Sequence, residues 1–309
     1  MEKIAALINL ENGSVWLNQT AERIRQLLNK ELVHDMLQAN KKNLTPASIL
    51  KFAQFIRTRF KNPTEELIEI HSKLDAYLSL AKAAKKFHFT YPEVVETEEP
   101  CIEAEGLYHF LLEVPVAYEV KLNQSENFIF LTGANMAGKS TFIKAAGLAA
   151  YMAHIGMGVP AKKMKISRLD GILSNIQVTD NIMKGESFFF NEVQRIKKTI
   201  ERISDGKKWL ILIDELFKGT NQEDAVKCST VVIEGLRKLP NALFVLSTHL
   251  YEIGHQLKHY PNIQFRYFET AIQDDQLLFS YQLKEGISND RLGYLILKRE
   301  GVVQMLENL

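Results

Sequence analysis

The pattern of apolar and polar residues divides the chain near Tyr91-Pro92. Before this point apolar residues recur every three or four positions, which is the spacing of an amphipathic helix. After it, short and almost continuous apolar runs alternate with helical patterns, as is typical of a parallel sheet with helices on both faces. We therefore predict a small α-helical domain over residues 1–92 and an α/β domain over residues 93–309.

Three helices are predicted in the first part. One covers residues 20–37. A second begins at Thr45-Pro46, with the N-cap and first-position residues of a helix start, and a third begins in the same way at Asn62-Pro63, with Glu65 placed for a capping box. Their apolar stripes consist of Ile24, Leu27, Leu28 and Leu32, of Ile49, Phe52, Ala53 and Ile56, and of Leu67, Ile70, Leu74, Tyr77, Leu78 and Ala81. We expect these helices to form a small bundle or lever.

The second part contains the predicted strands. Core strands and β-like runs are expected near Cys101-Ile102 and over residues 114–122, 128–131, 209–213 and 243–247. Residues 263–268 and 277–283 alternate around Gln273-Asp274-Asp275, which predicts an antiparallel hairpin at the sheet edge. The predicted fold class is therefore α/β, a mostly parallel sheet with flanking helices and antiparallel edge strands, preceded by the helical domain.

Composition narrows the functional classes. Lys and Arg number 38 and Asp and Glu 37, and the resulting net charge of +1 argues against nucleic-acid binding through a mainly basic surface. Two cysteines, Cys101 and Cys228, are too few for a disulfide framework or a cysteine zinc site, which favours a cytoplasmic protein. The sequence shows neither a signal-peptide pattern nor an apolar run of about 20 residues, so we expect no membrane partner.

The strongest chemical signal follows the predicted strand at 128–131. Residues 133–140 read G-A-N-M-A-G-K-S, a complete G-x-x-x-x-G-K-[ST] motif, and a helical pattern follows it. The glycines let successive backbone N–H groups face phosphate oxygens at the positive end of a helix. Lys139 is expected to reach the β- and γ-phosphates, and the Ser140 hydroxyl to ligate Mg²⁺. The predicted nucleotide-binding residues are Gly133, Ala134, Asn135, Met136, Ala137, Gly138, Lys139, Ser140 and Thr141.

Two further elements stand at the ends of predicted strands. Residues 210–215 read L-I-L-I-D-E, the form in which Asp214 holds magnesium and Glu215 polarises an attacking water. A carboxylate directly after Asp214 favours hydrolysis over transfer to another acceptor. His249, in Ser247-Thr248-His249, is placed either to sense the γ-phosphate or to serve only as a surface residue. The sequence thus predicts Lys139, Glu215 and His249 as catalytic, Ser140 and Asp214 as magnesium ligands, and ATP and Mg²⁺ as cofactors.

The order and spacing of these motifs resemble those of the ATPase domain of the MutS family of DNA mismatch repair proteins. Residues 132–141 read T-G-A-N-M-A-G-K-S-T where the family has T-G-P-N-M-G-G-K-S-T, and residues 214–221 read D-E-L-F-K-G-T-N where it has D-E-[IL]-G-R-G-T-S. Residues 155–161 match I-G-x-x-V-P-A, residues 187–192 match the S-T-F-x-x-E signature except at its Thr, and residues 247–249 match [AS]-T-H. This chain departs from the family pattern at Ala134, Ala137, Glu186, Phe188 and Phe217.

The resemblance, which covers about residues 100–309, implies an ABC-type P-loop ATPase that works as a homodimer. ATP would lie between the P-loop of one subunit and the signature segment of the other, with Ser187 and Asn191 acting in trans and residues 219–221 linking the two sites. Phe188-Phe189-Phe190 belongs either to a helix core or to that interface. Tyr108 and Tyr118 are both candidates for stacking on adenine.

The resemblance also implies binding of mismatched or branched DNA. Mismatch-reading members carry an N-terminal reading domain and long clamp helices, for which the residues before Pro92 leave no room. We therefore expect a truncated or divergent member whose DNA recognition depends on regions outside this chain. Two alternatives stay open: another ABC-type DNA-maintenance ATPase such as the SMC group, whose L-S-G-G signature does not occur between Lys139 and Asp214, and a scaffold that binds ATP without hydrolysing it. A P-loop kinase is disfavoured because no acceptor-lid pattern is visible.

Overall fold

The computed structural model describes residues 14–39, 44–176, 188–273, 276–288 and 301–307. The chain divides into two compact units, Met1–Ala83 and Ala84–Leu309. The boundary that we predict at residues 92–93 stays a prediction. Among the described helices, none is both long enough and apolar enough to cross a membrane.

The described part of the first unit is helical. Its helices are α1 (Val15–Leu28), α2 (Glu31–Gln38), α3 (Pro46–Thr58) and α4 (Lys61–Phe87), the last of which continues into the second unit. Side chains of this unit meet in one core, which buries Ile24, Leu27, Val33, Phe55, Phe60 and Leu67. The stripe predicted over residues 49–56 is wrong, because Ile49 and Ile56 are exposed and the helix buries Phe55 instead. Tyr77 and Leu78 of the third predicted stripe are also exposed. The predicted N-cap at Thr45 is confirmed, because its hydroxyl accepts a hydrogen bond from the Ser48 N–H at 3.3 Å.

The helix boundaries differ from the prediction at three places, and the first of these is the start of α1 at Val15 instead of residue 20. The single helix predicted over residues 20–37 is wrong, because the backbone leaves helical geometry at Asn29 (φ −78°, ψ 67°) and is extended at Lys30, so that two helices form. The helix predicted to begin at Asn62-Pro63 begins two residues earlier, at Lys61. Pro63 fits there because the first-turn N–H groups of a helix have no partner within the helix.

The second unit is built on a mostly parallel sheet with the strand order β10-β9-β4-β8-β7-β6. Its strands are β4 (Phe128–Thr132), β6 (Gly171–Asn175), β7 (Trp209–Asp214), β8 (Ala242–Ser247), β9 (Ile263–Gln273) and β10 (Gln276–Glu285). β9 and β10 are antiparallel, and β10 lies at the edge, which confirms the predicted hairpin. Asp274 and Asp275 lie outside the described residues. The predicted α/β fold class is confirmed.

A smaller sheet lies on one face of this unit, with the strand order β1-β5-β2-β3. Its strands are β1 (Glu93–Val95), β2 (Ile102–Leu107), β3 (Tyr118–Leu122) and β5 (Lys163–Ser167). The strand predicted over residues 114–122 is wrong in its first part, because β3 begins at Tyr118. Val114 is 88% exposed, so its apolar side chain does not belong to a buried strand.

Helices cover both faces of the main sheet. On one face, α5 (Lys139–His154) packs in a core shared with the smaller sheet. On the other face, α6 (Phe188–Ile203), α7 (Gln222–Leu236) and α8 (Tyr251–Leu257) form a second core with the other side chains of the same strands. The short helix α9 (Val302–Glu307) follows residues that the structure does not describe. Because both faces are covered, the central strands read as continuous apolar runs.

One asparagine connects several segments by hydrogen bonds at the amino-terminal edge of the main sheet. The amide nitrogen of Asn127, a buried residue just before β4, donates to the carbonyl oxygens of Leu239 (3.0 Å) and Ala242 (3.2 Å). Its amide oxygen accepts from Asn262 Nδ2 at 2.9 Å. The segments that precede β4, β8 and β9 are therefore joined by side-chain hydrogen bonds at this edge.

Candidate nucleotide-binding site

The loop between β4 and α5 has the conformation that its glycines allow. Gly133 (φ 136°) and Gly138 (φ 114°) have positive φ angles, which favour glycine over residues with a side chain. A Cβ atom on Gly133 would also lie only 3.2 Å from the carbonyl oxygen of Phe268. Ala134 and Ala137 are buried within the loop. The loop therefore curls tightly at the carboxyl edge of the sheet and ends at the amino terminus of α5, where backbone N–H groups bind anions well.

Lys139 is buried inside this loop. Its ammonium group donates hydrogen bonds to the carbonyl oxygens of Gly133 (2.7 Å) and Ala134 (2.9 Å). Burial lowers the pKa of Lys139, and the negative charges of Glu215 and Asp214 oppose this shift. The predicted phosphate-binding cation therefore lies within the loop, beside two acidic residues.

Asp214, the last residue of β7, meets two hydroxyl groups. Ser140 Oγ donates to Asp214 Oδ2 at 2.6 Å, so the structure brings the two predicted magnesium ligands together. Ser247 Oγ donates to the other carboxylate oxygen, Oδ1. Ser247 ends β8 directly opposite Asp214 in the parallel register, and its side chain is fully buried. The motifs alone did not predict this contact, which depends on the pairing of β7 with β8.

These oxygens suit a magnesium ion. Mg²⁺ prefers oxygen ligands and is usually bound through one or two carboxylates together with substrate phosphates and water. In the part of the chain that the structure describes, no group of three or more His, Cys, Asp or Glu residues forms an alternative metal site. The donor set of Ser140 and Asp214 therefore fits a magnesium–nucleotide complex better than a metal cage made by protein alone.

Glu215 follows β7 in a left-handed conformation (φ 67°). Its Oε2 atom lies 2.9 Å from Lys218 Nζ, and its Oε1 atom lies 3.6 Å from Nδ1 of His249. The contact with His249, and then that with Lys218, hold the pKa of Glu215 at about 2 although burial acts in the opposite direction. The backbone N–H of Glu215 donates to the Ser247 carbonyl at 3.0 Å. Glu215 is therefore an ionised carboxylate held from several sides.

These side chains surround a cavity of about 680 Å³. Its polar wall consists of Asn135, Lys139, Ser140, Thr141, Asp214, Glu215 and Lys218. Its apolar wall consists of Leu112, Val114, Val116, Tyr118, Met136 and Tyr281. Lys218 is a cavity residue that the sequence analysis did not identify. His249 lies beside Glu215 and is not among the residues that line the cavity.

The two tyrosines considered for adenine stacking differ in position. Tyr118 lines the cavity, but its ring is almost fully buried and packs edge-to-face on Phe142 and Phe268. The hydroxyl of Tyr108 donates instead to the carbonyl oxygen of Phe87. Of the two, Tyr118 is the one that the cavity reaches.

The residues predicted to act in trans are described only in part. Ser187 and Glu186 lie outside the described residues. Asn191 lies in the first turn of α6. Within the aromatic run, Phe189 packs in the core with its ring centroid 5.6 Å from that of Phe217, whereas Phe190 is 45% exposed.

Comparison with known proteins places these residues in a family. Residues 129–306 match the family described as MutS domain V. Human MutS protein homolog 4 is 32% identical over 237 residues, which are 73% of this chain and 25% of the human protein. The DNA mismatch repair proteins MutS of Petrotoga mobilis and Carboxydothermus hydrogenoformans are 25% and 28% identical, over 96% and 98% of this chain.

The chain spans 35% and 37% of the lengths of these two bacterial relatives, and 25% of the human one. The family match extends from the second residue of β4 to α9 and therefore includes the loop, both acidic residues and the Ser247-Thr248-His249 segment. Because this match covers more than half of the 309 residues, the chain belongs to the MutS family, and its α/β unit carries domain V, a P-loop ATPase fold.

Proposed function

We propose that this chain is the ATP-hydrolysing part of a MutS-type protein and that it cleaves ATP to ADP and phosphate with Mg²⁺. The observation that carries the proposal is the convergence of Lys139, Ser140, Asp214 and Glu215 on one cavity at the carboxyl edge of the sheet. This edge is where ligands bind in open α/β sheets. The cavity volume of about 680 Å³ lies within the range of small-molecule sites.

The loop and Lys139 supply the binding of phosphate. Lys139 now donates to two carbonyl oxygens, and β- and γ-phosphate oxygens are stronger acceptors for the same ammonium group. Ser140 and Asp214 would hold Mg²⁺, which supplies positive charge to the transferring phosphoryl group. The apolar wall with Leu112, Val114 and Tyr118 offers a surface for the adenine base.

Glu215 is proposed to orient the attacking water. A carboxylate with a pKa of about 2 is a weak proton acceptor at neutral pH, because general bases work best with a pKa near the working pH. Its main contribution is therefore to accept a hydrogen bond from water and to fix its direction, since phosphoryl transfer depends mostly on positioning and electrostatics. Lys218 and His249 currently contact its two oxygens, so at least one of these contacts must give way to water.

Dimer formation and DNA binding belong to the same proposal. Two of the relatives are named DNA mismatch repair protein MutS. We propose that the signature segment with Ser187 acts at the nucleotide of a second subunit. We propose that hydrolysis at this dimer interface is coupled to a conformational change and that mismatched or branched DNA is recognised with the help of regions outside this chain.

The test is ATP binding and steady-state turnover with Mg²⁺, in the absence of DNA and with homoduplex, mismatched or branched DNA. We expect turnover that requires Mg²⁺ and that one DNA structure stimulates. In Lys139→Ala, nucleotide binding should be lost. Lys144→Ala, which changes an exposed lysine five positions further along α5, should bind normally. Binding without turnover in the wild type would support the scaffold alternative, and normal binding by Lys139→Ala would place the phosphate site elsewhere.

A further inference from the structure

Glu192 on α6 is a buried carboxylate whose two oxygens both accept backbone hydrogen bonds. Oε1 accepts from the N–H of Lys218 and Oε2 from the N–H of Gly219, each at 3.2 Å. The side chain is only 5% exposed. A buried carboxylate is costly unless donors surround it, and two successive backbone N–H groups are a known arrangement for binding an anion. Glu192 therefore holds the loop that follows β7.

The same loop also packs against the first turn of α6 at two other positions. Phe217 has a left-handed backbone (φ 56°), which is unfavourable for a bulky residue, and its buried ring packs on Phe189. At Gly219 an added Cβ would lie 2.5 Å from Phe188 Cδ1 and 2.7 Å from the backbone nitrogen of Phe189. The loop backbone and the helix start are thus in direct contact, and only glycine fits at this position.

The loop holds Lys218 toward the cavity. Lys218 Nζ lies 2.9 Å from Glu215 Oε2, and both side chains line the cavity. Glu192 itself is not among the lining residues, so it has no direct route to a bound nucleotide. Glu192 can therefore affect the site only indirectly. Its hydrogen bond with the Lys218 N–H fixes the backbone from which the lysine side chain extends.

We propose that Glu192 is a positioning residue for hydrolysis: its carboxylate fixes residues 217–219 so that Lys218 engages Glu215 at the cavity. The inference rests on the proposed ATPase function but concerns a residue outside the nucleotide site. It connects the start of α6, where Glu192 is the last residue of the signature segment, to the carboxylate that is proposed to orient water. Preorganised groups of this kind lower the activation barrier without changing how tightly the substrate binds.

The first test is hydrogen exchange of individual backbone amides, measured without nucleotide. In the wild type, the amides of Lys218 and Gly219 should be protected relative to an unstructured loop. In Glu192→Gln, which keeps the shape but turns an NH₂ group toward one donor, both amides should exchange about tenfold faster or more. Amides of β7 should be unchanged. Glu201→Gln, an exposed carboxylate on the same helix, is the matched control and should exchange like the wild type.

The second test separates kcat from KM. In Glu192→Gln, kcat should fall on the order of tenfold, while KM for ATP should change by less than about threefold because the phosphate-binding loop is untouched. In a Lys218→Gln background, adding Glu192→Gln should lower kcat no further, since the carboxylate acts through that lysine. Glu201→Gln should keep wild-type kcat.

Several results would overturn the inference. Unprotected amides at Lys218 and Gly219 in the wild type would overturn it, and this result does not depend on whether Glu192→Gln folds. Unchanged or increased kcat in Glu192→Gln, a change confined to KM, or additive effects with Lys218→Gln would each do the same. If the wild type showed protected amides but no turnover, the proposed ATPase function would fail while the structural role of Glu192 stood.

Discussion

Ser247 and Asp214 lie opposite each other at the ends of two neighbouring parallel strands, and the serine hydroxyl donates to the carboxylate. The same serine accepts the N–H of Glu215 through its carbonyl oxygen at 3.0 Å. One buried residue of β8 thus orients both Asp214, which ends β7, and Glu215, which follows it. This arrangement depends on strand register, because a shift of one position would turn the Ser247 side chain to the other face of the sheet.

Removing the Ser247 hydroxyl should weaken magnesium binding. We expect Ser247→Ala to lower the free energy of unfolding by about 1–3 kcal/mol, since a hydrogen bond to a buried charged group is lost. The Mg²⁺ concentration for half-maximal turnover should rise several-fold, because Asp214 loses a partner that fixes its orientation. Chemical denaturation and a Mg²⁺ titration of turnover measure the two effects.

The matched control is Ser229→Ala. Ser229 is also a buried serine, but within the described residues its hydroxyl has no hydrogen-bond partner. This variant should therefore keep the wild-type requirement for Mg²⁺. An equal effect of the two substitutions on that requirement would contradict the orienting role of Ser247.

Removing the Glu215 carboxylate should separate binding from turnover. We expect Glu215→Ala to bind ATP but to reduce kcat by about a hundredfold or more, because the group that orients water is missing. ATP should then accumulate on the protein, and light scattering should report an ATP-dependent dimer. Normal turnover would assign the water-orienting role to another residue. A monomer at all ATP concentrations would remove the proposed role of Ser187 in trans.

The low pKa of Glu215 predicts how its contribution to stability changes with pH. The pKa is lowered from 4.5 to about 2 on folding, so the folded chain binds this proton less readily than the unfolded chain. The carboxylate therefore stabilises the fold fully above pH 4.5, and this contribution is lost as the pH falls toward 2. We expect the difference in free energy of unfolding between wild type and Glu215→Gln to shrink as the pH falls below about 4.5.

Urea denaturation of both proteins at a series of acidic pH values measures this difference. Lys139, Lys218 and His249 also face Glu215 and, like the neighbouring Asp214, are present in both proteins. Lys218→Gln in the otherwise wild-type chain should move the decline to higher pH, because the ammonium group helps to hold the pKa down. A difference that does not depend on pH would show that these contacts do not lower the pKa of Glu215.

Gly147 sets the distance between α5 and the sheet. An added Cβ at this position would lie 2.4 Å from Leu212 Cδ1, and Leu212 is buried in β7. Gly147→Ala should therefore lower the free energy of unfolding by about 1–3 kcal/mol, although alanine is the better helix former. Gly235→Ala on α7 is the control, since nothing lies within 4 Å of its added Cβ, and it should stabilise the chain by about 0.5–1 kcal/mol. Thermal or chemical denaturation distinguishes the two, and equal effects would contradict the close approach.

The architecture of the α/β unit was predictable because its signals are local. Continuous apolar runs indicated the central strands, and the glycine motif between a strand and a helix indicated the loop around Lys139. Parallel strands bring their carboxyl ends to one edge, so the meeting of Ser140 and Asp214 also followed from the sequence. The helix break at Asn29-Lys30 and the late start of β3 were not predicted, because apolar periodicity continues through both positions.

Contacts between distant segments could not be predicted from spacing. Glu192 and the N–H of Gly219 are 27 positions apart, and nothing in the local sequence indicates that a helix carboxylate would accept backbone donors from a loop. The pairing of Lys218 with Glu215 depends on the left-handed conformations of Glu215 and Phe217, which neither residue favours on its own. Tertiary packing determines these features, and they are also the ones that set the electrostatics of the cavity.

Asn127 joins three segments at the amino-terminal edge of the main sheet. The two ends of the sheet therefore differ in how easily they can rearrange. The hydrogen bonds of Asn127 make relative sliding of β4, β8 and β9 costly there, since any shift would leave buried amide groups without partners. At the opposite end, Glu215 and Lys218 lie beyond the strands, so their side-chain contacts can change without breaking the strand ladder. Rearrangements during a catalytic cycle should therefore leave the strand framework fixed and change only the connections beyond the carboxyl ends of the strands.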